Sequence, residues 1–485
     1  MVHTGLGALS SASNKSMWRG LFWSGFNVFA NKGVGIFARL VLALWLAPAS
    51  FGLVAMVLVF LNLLGLFVDF GLQNVLVQRP RDERSAERYY SVFWFLLVAG
   101  FGWMLAFAAV FSSLTVWVFN EARLAEIALL LAPCLLFQSI AVLPEVRLLR
   151  RMRFRSIAAA EVASTLSSAV AAIAIAFAGA GVFSLIAQQL IYTALRAVFI
   201  WHASNWRPRL HFSWRSLREV QELGGYMLGS RVLTYLGSNI DRLAIGAILG
   251  ASSLGLYTIS YTITENIRAQ LSRVISRVML PVYARMQENF EGIKGHYLSI
   301  TRVMTLVFFP FLLSLVLFAE PIIELIFSEE WSEATLPTQL LAAGGMMVAI
   351  SGPAVEVLVG IGRAREVFVI SVLNLVMITI PAIWVLTMAY DLVGSATAML
   401  ISFSSMRVFC YFALRRYLSI ALVDILRATG PAVCAAGSLC AINWIVETVS
   451  PIAGISVIAS VYLIIIAVCF RQVCWDRLKL ANTST

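Results

Sequence analysis

Charge is scarce in this chain. Of 485 residues only 13% are Asp, Glu, Lys or Arg, while 60% are hydrophobic and the mean hydropathy is +0.87. A soluble domain carries about twice that charge, so the composition excludes a water-soluble protein and indicates a polytopic membrane protein. Cysteine is sparse too. Cys134, Cys410, Cys434, Cys440, Cys469 and Cys474 lie in or beside apolar stretches with no CxxC or Cys/His ligand spacing, which excludes a disulfide framework or a zinc site. The 4 histidines form no pair at helical spacing. No nucleophile–base constellation, Walker motif or appended soluble domain is present, so no catalytic residue, metal or cofactor is expected. Met1–Met17 is polar and leads into a long apolar stretch without a small-residue cleavage site; no removable signal peptide is expected. Gly33-x-Gly35-x-x-Ala38 imitates a dinucleotide fingerprint but has no strand before it.

What the chain has in quantity is long apolar runs. At about 20 residues per crossing, about fourteen spans are expected, over roughly 18–47, 50–78, 90–118, 124–147, 156–178, 181–202, 223–249, 253–281, 299–327, 334–361, 366–389, 392–414, 428–447 and 452–470. The seventh and eighth are the least apolar. The loops alternate in charge. One set holds Lys15 and Arg19, Arg79–Arg88, Arg147–Arg155, Arg207–Arg218, Arg285 and Lys294, Arg363 and Arg365, Arg415–Arg427, and Arg471–Lys479. The other holds Arg123 alone with Glu121, Glu329, Glu330, Glu333, Asp391 and Glu447. The positive-inside rule then places both termini in the cytoplasm, and it accounts for the net charge of +11 without nucleic acid.

The chain also repeats itself. Arg39–Leu53 (RLVLALWLAPASFGL) realigns with Arg242–Leu256 (RLAIGAILGASSLGL) at an offset of 242 − 39 = 203, with identities at Arg39/Arg242, Leu40/Leu243, Leu46/Leu249, Ser50/Ser253, Gly52/Gly255 and Leu53/Leu256. An even number of spans separates the copies, so both take the same orientation. The expected architecture is all-α: two six-helix lobes (1–202 and 223–418) joined by a basic cytoplasmic linker (203–222), then two further helices and a tail (419–485). The lobes form a parallel repeat about an axis along the membrane normal, with a site between them near the midplane.

An arginine inside a membrane helix costs roughly 2.5–3.5 kcal/mol even on lenient scales, and here one recurs at equivalent positions. At 100° per residue, Lys32 and Arg39 lie about 20° apart. Arg231, Thr234, Tyr235, Ser238, Asp241 and Arg242 fall within about 120°, and Tyr257, Tyr261, Glu265, Arg268 and Ser272 within about 80°. The offset maps Lys32 onto Tyr235 and Arg39 onto Arg242, so the polar faces are one face of the repeated unit. Such faces are tolerated towards a water-filled cavity or a polar partner. Plainer readings stand beside this one. Arg39 and Arg242 lie near helix ends and can snorkel to the interface; Asp241–Arg242 and Glu265/Arg268 can be neutralising pairs. Asp69, Glu161, Glu356 and Arg407 are single charges, each a coupling group or a polar packing group. Gly225-x-x-x-Gly229 reads as a close-packing motif.

With these residues in view, the chain resembles the flippases of the multidrug/oligosaccharidyl-lipid/polysaccharide exporter superfamily. Leu46–Val57, Asp69–Gln78 and above all Asn239–Tyr261 (NIDRLAIGAILGASSLGLYTISY) are similar to its Wzx-type branch, closest to the colanic acid exporter-like group. The resemblance implies a bacterial inner-membrane transporter, not an enzyme, for an oligosaccharide unit on undecaprenyl pyrophosphate, with a polysaccharide polymerase and chain-length machinery as candidate partners; the two fused lobes can form a complete transport path in a monomer. Lys32, Arg39, Arg231, Arg242 and Arg268 would supply cations for the pyrophosphate. Tyr235, Tyr257 and Tyr261 would face sugars, with Ser238, Asp241 and Glu265 completing the surface. The alternatives are a drug/cation antiporter of the same superfamily, which needs acids lining the first lobe, and a non-transporting scaffold, which tolerates removal of the charges.

Overall fold

The computed structural model describes residues 33–78, 85–287 and 289–446; the last expected span, 452–470, lies outside them, as does the first half of the first. All regular structure among the described residues is helical. Nine helical stretches there are long and apolar enough to cross a membrane. One of them, Ala364–Leu418, contains two of the expected spans: the helix breaks at Tyr390 and Asp391, whose φ values are −136° and 51°. The chain divides into two compact units, Met1–Thr258 and Ile259–Thr485.

In the first unit, α1 (Gly33–Leu42) turns into α2 (Pro48–Val68), which Pro48 opens at its first position, where the missing N–H is no loss. After α2 come α3 (Leu72–Gln78), α4 (Ser85–Ala106), a π turn (Phe107–Phe111), α5 (Ser112–Phe119), α6 (Arg123–Leu131), α7 (Pro133–Arg150), α8 (Phe154–Phe177) and α9 (Phe183–Ser204). Along α8 the buried positions Ala160, Ser164, Ser168, Ala172 and Ala176 recur every four residues. Such a small-residue stripe allows close backbone approach, and α8 packs on α9. Arg196 of α9 joins this bundle by an ion triad, with Nη2 at 2.8 Å from Glu145 of α7 and 3.5 Å from Glu161 of α8. Of the two readings open for Glu161, the structure shows the polar packing group. At the end of α7, Arg150 donates to the Leu76 carbonyl and the Tyr89 hydroxyl, and Arg147 sits 5.5 Å over the Trp206 ring. This anchors the basic end of α7 on an apolar cluster around Leu72, Val92, Leu96 and Val142.

Next come α10 (Trp214–Gly237) and α11 (Ile240–Arg285). α10 packs on α2, α3 and α4, so it belongs to the first compact unit although it follows the 203–222 segment. Within α11 the backbone leaves helical geometry at Gly250, with φ 84°, a value that suits glycine alone among common residues. That break separates the expected seventh and eighth spans.

The second unit continues with α12 (Phe290–Ile326), a 3₁₀ turn (Glu329–Ala334), α13 (Thr335–Ile350), α14 (Ala354–Gly360), α15 (Ala364–Leu373), a π turn (Asn374–Thr379), α16 (Ile380–Leu418) and α17 (Leu422–Val446). Its core gathers Tyr283, Ile293, Tyr297, Leu358, Cys410 and Leu414. The polar side chains at the π turn satisfy one another: Ser405 donates to Asn374 Oδ1 at 2.6 Å, and Thr379 and Ser402 share a hydrogen bond of 2.6 Å.

Candidate functional site

Two features of the first unit bear on function. The first is a cavity of about 380 Å³ lined by Leu66 of α2, by Arg231, Thr234 and Tyr235 of α10 and by Ser238 in the turn that follows it. These four residues follow i, i+3, i+4, i+7, and the Ser238 N–H bonds the Thr234 carbonyl at 3.0 Å, so one helical stripe makes the polar wall. Three of the four are held by the chain itself. Tyr235 donates to the Val59 carbonyl at 2.8 Å, and Ser238 to the Thr234 carbonyl at 2.8 Å. Arg231 Nη1 lies 2.9 Å from Asp69 Oδ2 and 3.3 Å from Oδ1.

Asp69 caps the C-terminus of α2, where a negative charge opposes the helix dipole, and it is only 8% exposed. Its Oδ1 also accepts the Gly71 N–H at 3.0 Å, closing a turn in which Phe70 and Gly71 both take positive φ, 47° and 71°. A buried carboxylate in that place needs a cation, and Arg231 is that cation.

The second feature is a crossing of the two repeat copies. A Cβ built on Gly52 overlaps the backbone of Ala251, and one built on Gly255 overlaps the backbone of Pro48. The offset of 203 takes Gly52 to Gly255 and Pro48 to Ala251. Each glycine therefore receives the backbone at the partner's equivalent position, as in a self-complementary two-fold contact. On α1 and α11, close in sequence to this crossing, stand Arg39 and Arg242, which feel each other's charge. Tyr235 also lies within electrostatic reach of Arg242. Arg242 donates from Nη1 to Asn239 Oδ1 at 2.9 Å.

A family model described as a polysaccharide biosynthesis protein matches residues 40–336, well over half of the chain. The chain belongs to this family. It is 27% identical to the lipopolysaccharide biosynthesis protein WzxC of Escherichia coli, over 75% of this chain and 74% of that protein. It is 26% identical to the teichuronic acid biosynthesis protein TuaB of Bacillus subtilis, over 62% of each. Its fold is similar to that of the lipid II flippase MurJ in an inward closed conformation, with a TM-score of 0.74 at 13% identity, covering 93% of this chain and 99% of that one. An inward-facing multidrug resistance MATE transporter matches with a TM-score of 0.64 at 14% identity, covering 80% and 94%. In this polysaccharide biosynthesis protein the MATE-like and MurJ-like fold identifies an all-α polytopic membrane protein.

The expected site residues separate into three groups. Arg231, Tyr235 and Ser238 share the cavity. Arg39 is exposed, and Arg242 lies within its electrostatic reach. Asp241, Tyr257 and Glu265 are buried, at 1%, 0% and 1% exposure, and the Tyr257 hydroxyl donates to Asp241 Oδ2 at 2.7 Å. In this structure Tyr257 holds α11 to itself across the Gly250 break instead of facing a cavity. Tyr261 is half-buried. Lys32 and the Arg268 side chain lie outside the described residues. The count at 100° per residue did not point to Leu66 or, more importantly, to Asp69 as the partner of Arg231.

Proposed function

We propose that this protein carries undecaprenyl-pyrophosphate-linked oligosaccharide units from the cytoplasmic to the periplasmic leaflet of the bacterial inner membrane, by alternating access, for surface polysaccharide synthesis. The observation that carries this reading is the polar wall of the cavity: a guanidinium, two hydroxyl-bearing side chains and a tyrosine open onto it from one helical stripe at residues 231–238. A guanidinium binds a pyrophosphate through parallel charge-assisted hydrogen bonds. Tyr235 and Ser238 offer the amphipathic and hydroxyl contacts that sugars take. The lipid tail stays in the bilayer. The relatives named for lipopolysaccharide and teichuronic acid biosynthesis support the substrate class.

Arg39 and Arg242 form a second cationic station, reached after the first as the head group moves outward. On this reading both termini are cytoplasmic, lobes 1–202 and 223–418 are the moving halves, and one chain suffices, supplying its product to a polymerase. An antiporter for cationic drugs would present its buried acid to the substrate; Asp69, the acid beside the cavity's guanidinium, is held by Arg231.

The test is replacement of Arg39, Arg231 and Arg242 with Ala, one at a time, at equal protein level. Exported polysaccharide should fall and the lipid-linked intermediate accumulate in the cytoplasmic leaflet. Arg242→Lys asks whether charge alone suffices. Normal export from all three Ala variants would exclude the cationic path.

A further inference from the structure

The cavity's only described cation is already occupied by a carboxylate from its own chain. We propose that Asp69 is the resident anion of this site, a specificity-determining residue that a ligand displaces from Arg231 as it binds. This rests on the proposed function and deepens it, because it states which head groups pass.

The geometry is that of a replaceable partner. Both hydrogen bonds to Asp69 leave from the single nitrogen Nη1. Among the described residues Nε and Nη2 meet no other acceptor, so an incoming anion takes hold there and draws the guanidinium off Asp69. Arg231 is 33% exposed through its side chain, whereas the Asp69 side chain is 12% exposed, so an incoming anion meets the guanidinium first. Asp69 is held in position independently, by the Gly71 N–H and the turn after α2. Removing Arg231 from it therefore does not dissolve the turn.

An anion with several oxygens and more than one negative charge takes the guanidinium by a bidentate fork and outcompetes one carboxylate. A monoanion gains little by the exchange, because it substitutes one charge for another. A neutral or cationic head group cannot make it at all. The pair thus selects a pyrophosphate over a monophosphate ester, and over uncharged lipids.

The experiment measures binding of undecaprenyl pyrophosphate and undecaprenyl monophosphate to the purified full chain in detergent. Asp69→Asn keeps the shape and the Gly71 contact but removes the competing charge. It should tighten monophosphate binding about tenfold, the weight of one charge-assisted hydrogen bond, tighten pyrophosphate binding less, and so narrow the discrimination. Arg231→Ala should weaken both. In the Arg231→Ala background Asp69→Asn should change nothing further, since its effect runs through the guanidinium. If Arg231→Ala weakens binding but Asp69→Asn leaves affinity and discrimination as in wild type, the resident-anion role is wrong and the proposed function stands. If Arg231→Ala binds pyrophosphate like wild type, the cavity reading itself is wrong. Asp69→Thr, uncharged and still able to accept from Gly71, is the second variant. Failure of both Asp69 variants to fold would overturn the proposal, showing the pair to be a structural staple.

Discussion

The crossing at Gly52 and Gly255 makes a quantitative demand. Replacing either with Ala puts a methyl group where the backbone of Ala251 or Pro48 already stands. No rotamer change relieves a clash with main chain, so the helices must part by on the order of 1–2 Å, and overpacking of this kind costs up to about 3 kcal/mol or more. For a unit of this size roughly 2–4 °C of melting temperature goes with each kcal/mol, so a loss of about 6–12 °C is expected for each variant. The two losses should be similar, because the contact is self-complementary. The double variant should lose less than the sum, because helices parted by the first methyl already accommodate the second. Gly102 in α4 is the control: a Cβ there meets nothing within 4 Å, and Gly102→Ala should stabilise by about 0.5–1 kcal/mol through helix propensity alone. The assay is thermal unfolding of purified protein in detergent, with export measured at matched expression. Wild-type melting of Gly52→Ala and Gly255→Ala, or strict additivity in the double variant, would refute the crossing.

Removing Arg196 should destabilise the first unit by about 3–5 kcal/mol, because Arg196→Met leaves Glu145 and Glu161 facing each other without their cation. Adding Glu145→Gln and Glu161→Gln should recover most of the loss in the same melting assay, and no loss in the single variant would show the triad to be incidental. In the second unit, Asp424 opens α17 as the acid of a capping arrangement, accepting the Ala421 N–H at 3.1 Å. The Lys294 ammonium 2.8 Å away, together with that N–H, holds the Asp424 carboxyl below its ordinary range. Its folded value is depressed, so its contribution to stability is present above the ordinary carboxylate range and is lost as pH falls through the depressed value. Melting curves at falling pH should show an acid-side loss that Asp424→Asn reduces; an unchanged pH profile in that variant would contradict the assignment.

The fold was largely legible because a bilayer imposes its length on the sequence: about 20 apolar residues, then a charged loop. Where two expected spans are continuous in hydrogen bonding, as in Ala364–Leu418, the charge at Asp391 still marked the break. The polar stripe of α10 was legible for the same geometric reason, since residues three and four apart must share a face. What covers a face is not periodic, and there the sequence runs out. Tyr257, Tyr261 and Glu265 share one spacing, yet Tyr257 and Glu265 are buried, Tyr257 on Asp241, while Tyr261 is half-buried. The Asp69–Arg231 pair was hidden twice over. Its members are 162 residues apart, and the repeat gives no hint, because the offset of 203 takes Asp69 to Ser272 and Arg231 to Val28. Repetition located Gly52 and Gly255, but only the structure shows that they receive each other's helices.

That contrast bears on how the two cationic stations differ. Arg39 and Arg242 obey the repeat, and so does the glycine crossing; the like charges come with the symmetry and repel each other. A bridging polyanion turns that repulsion into attraction at both. Arg231 departs from the repeat and is neutralised in advance by Asp69. On the proposed function, the inner station therefore discriminates, because a ligand has to displace something, while the outer one attracts any sufficiently charged head group. Substitution should separate the two roles. Asp69→Asn should relax selectivity between pyrophosphate and monophosphate lipids, whereas Arg39→Ala or Arg242→Ala should slow export of the correct substrate and leave that selectivity intact. Competition between the two lipids in vesicles reconstituted with each variant measures this directly, and a loss of selectivity in Arg242→Ala equal to that in Asp69→Asn would remove the distinction between the stations.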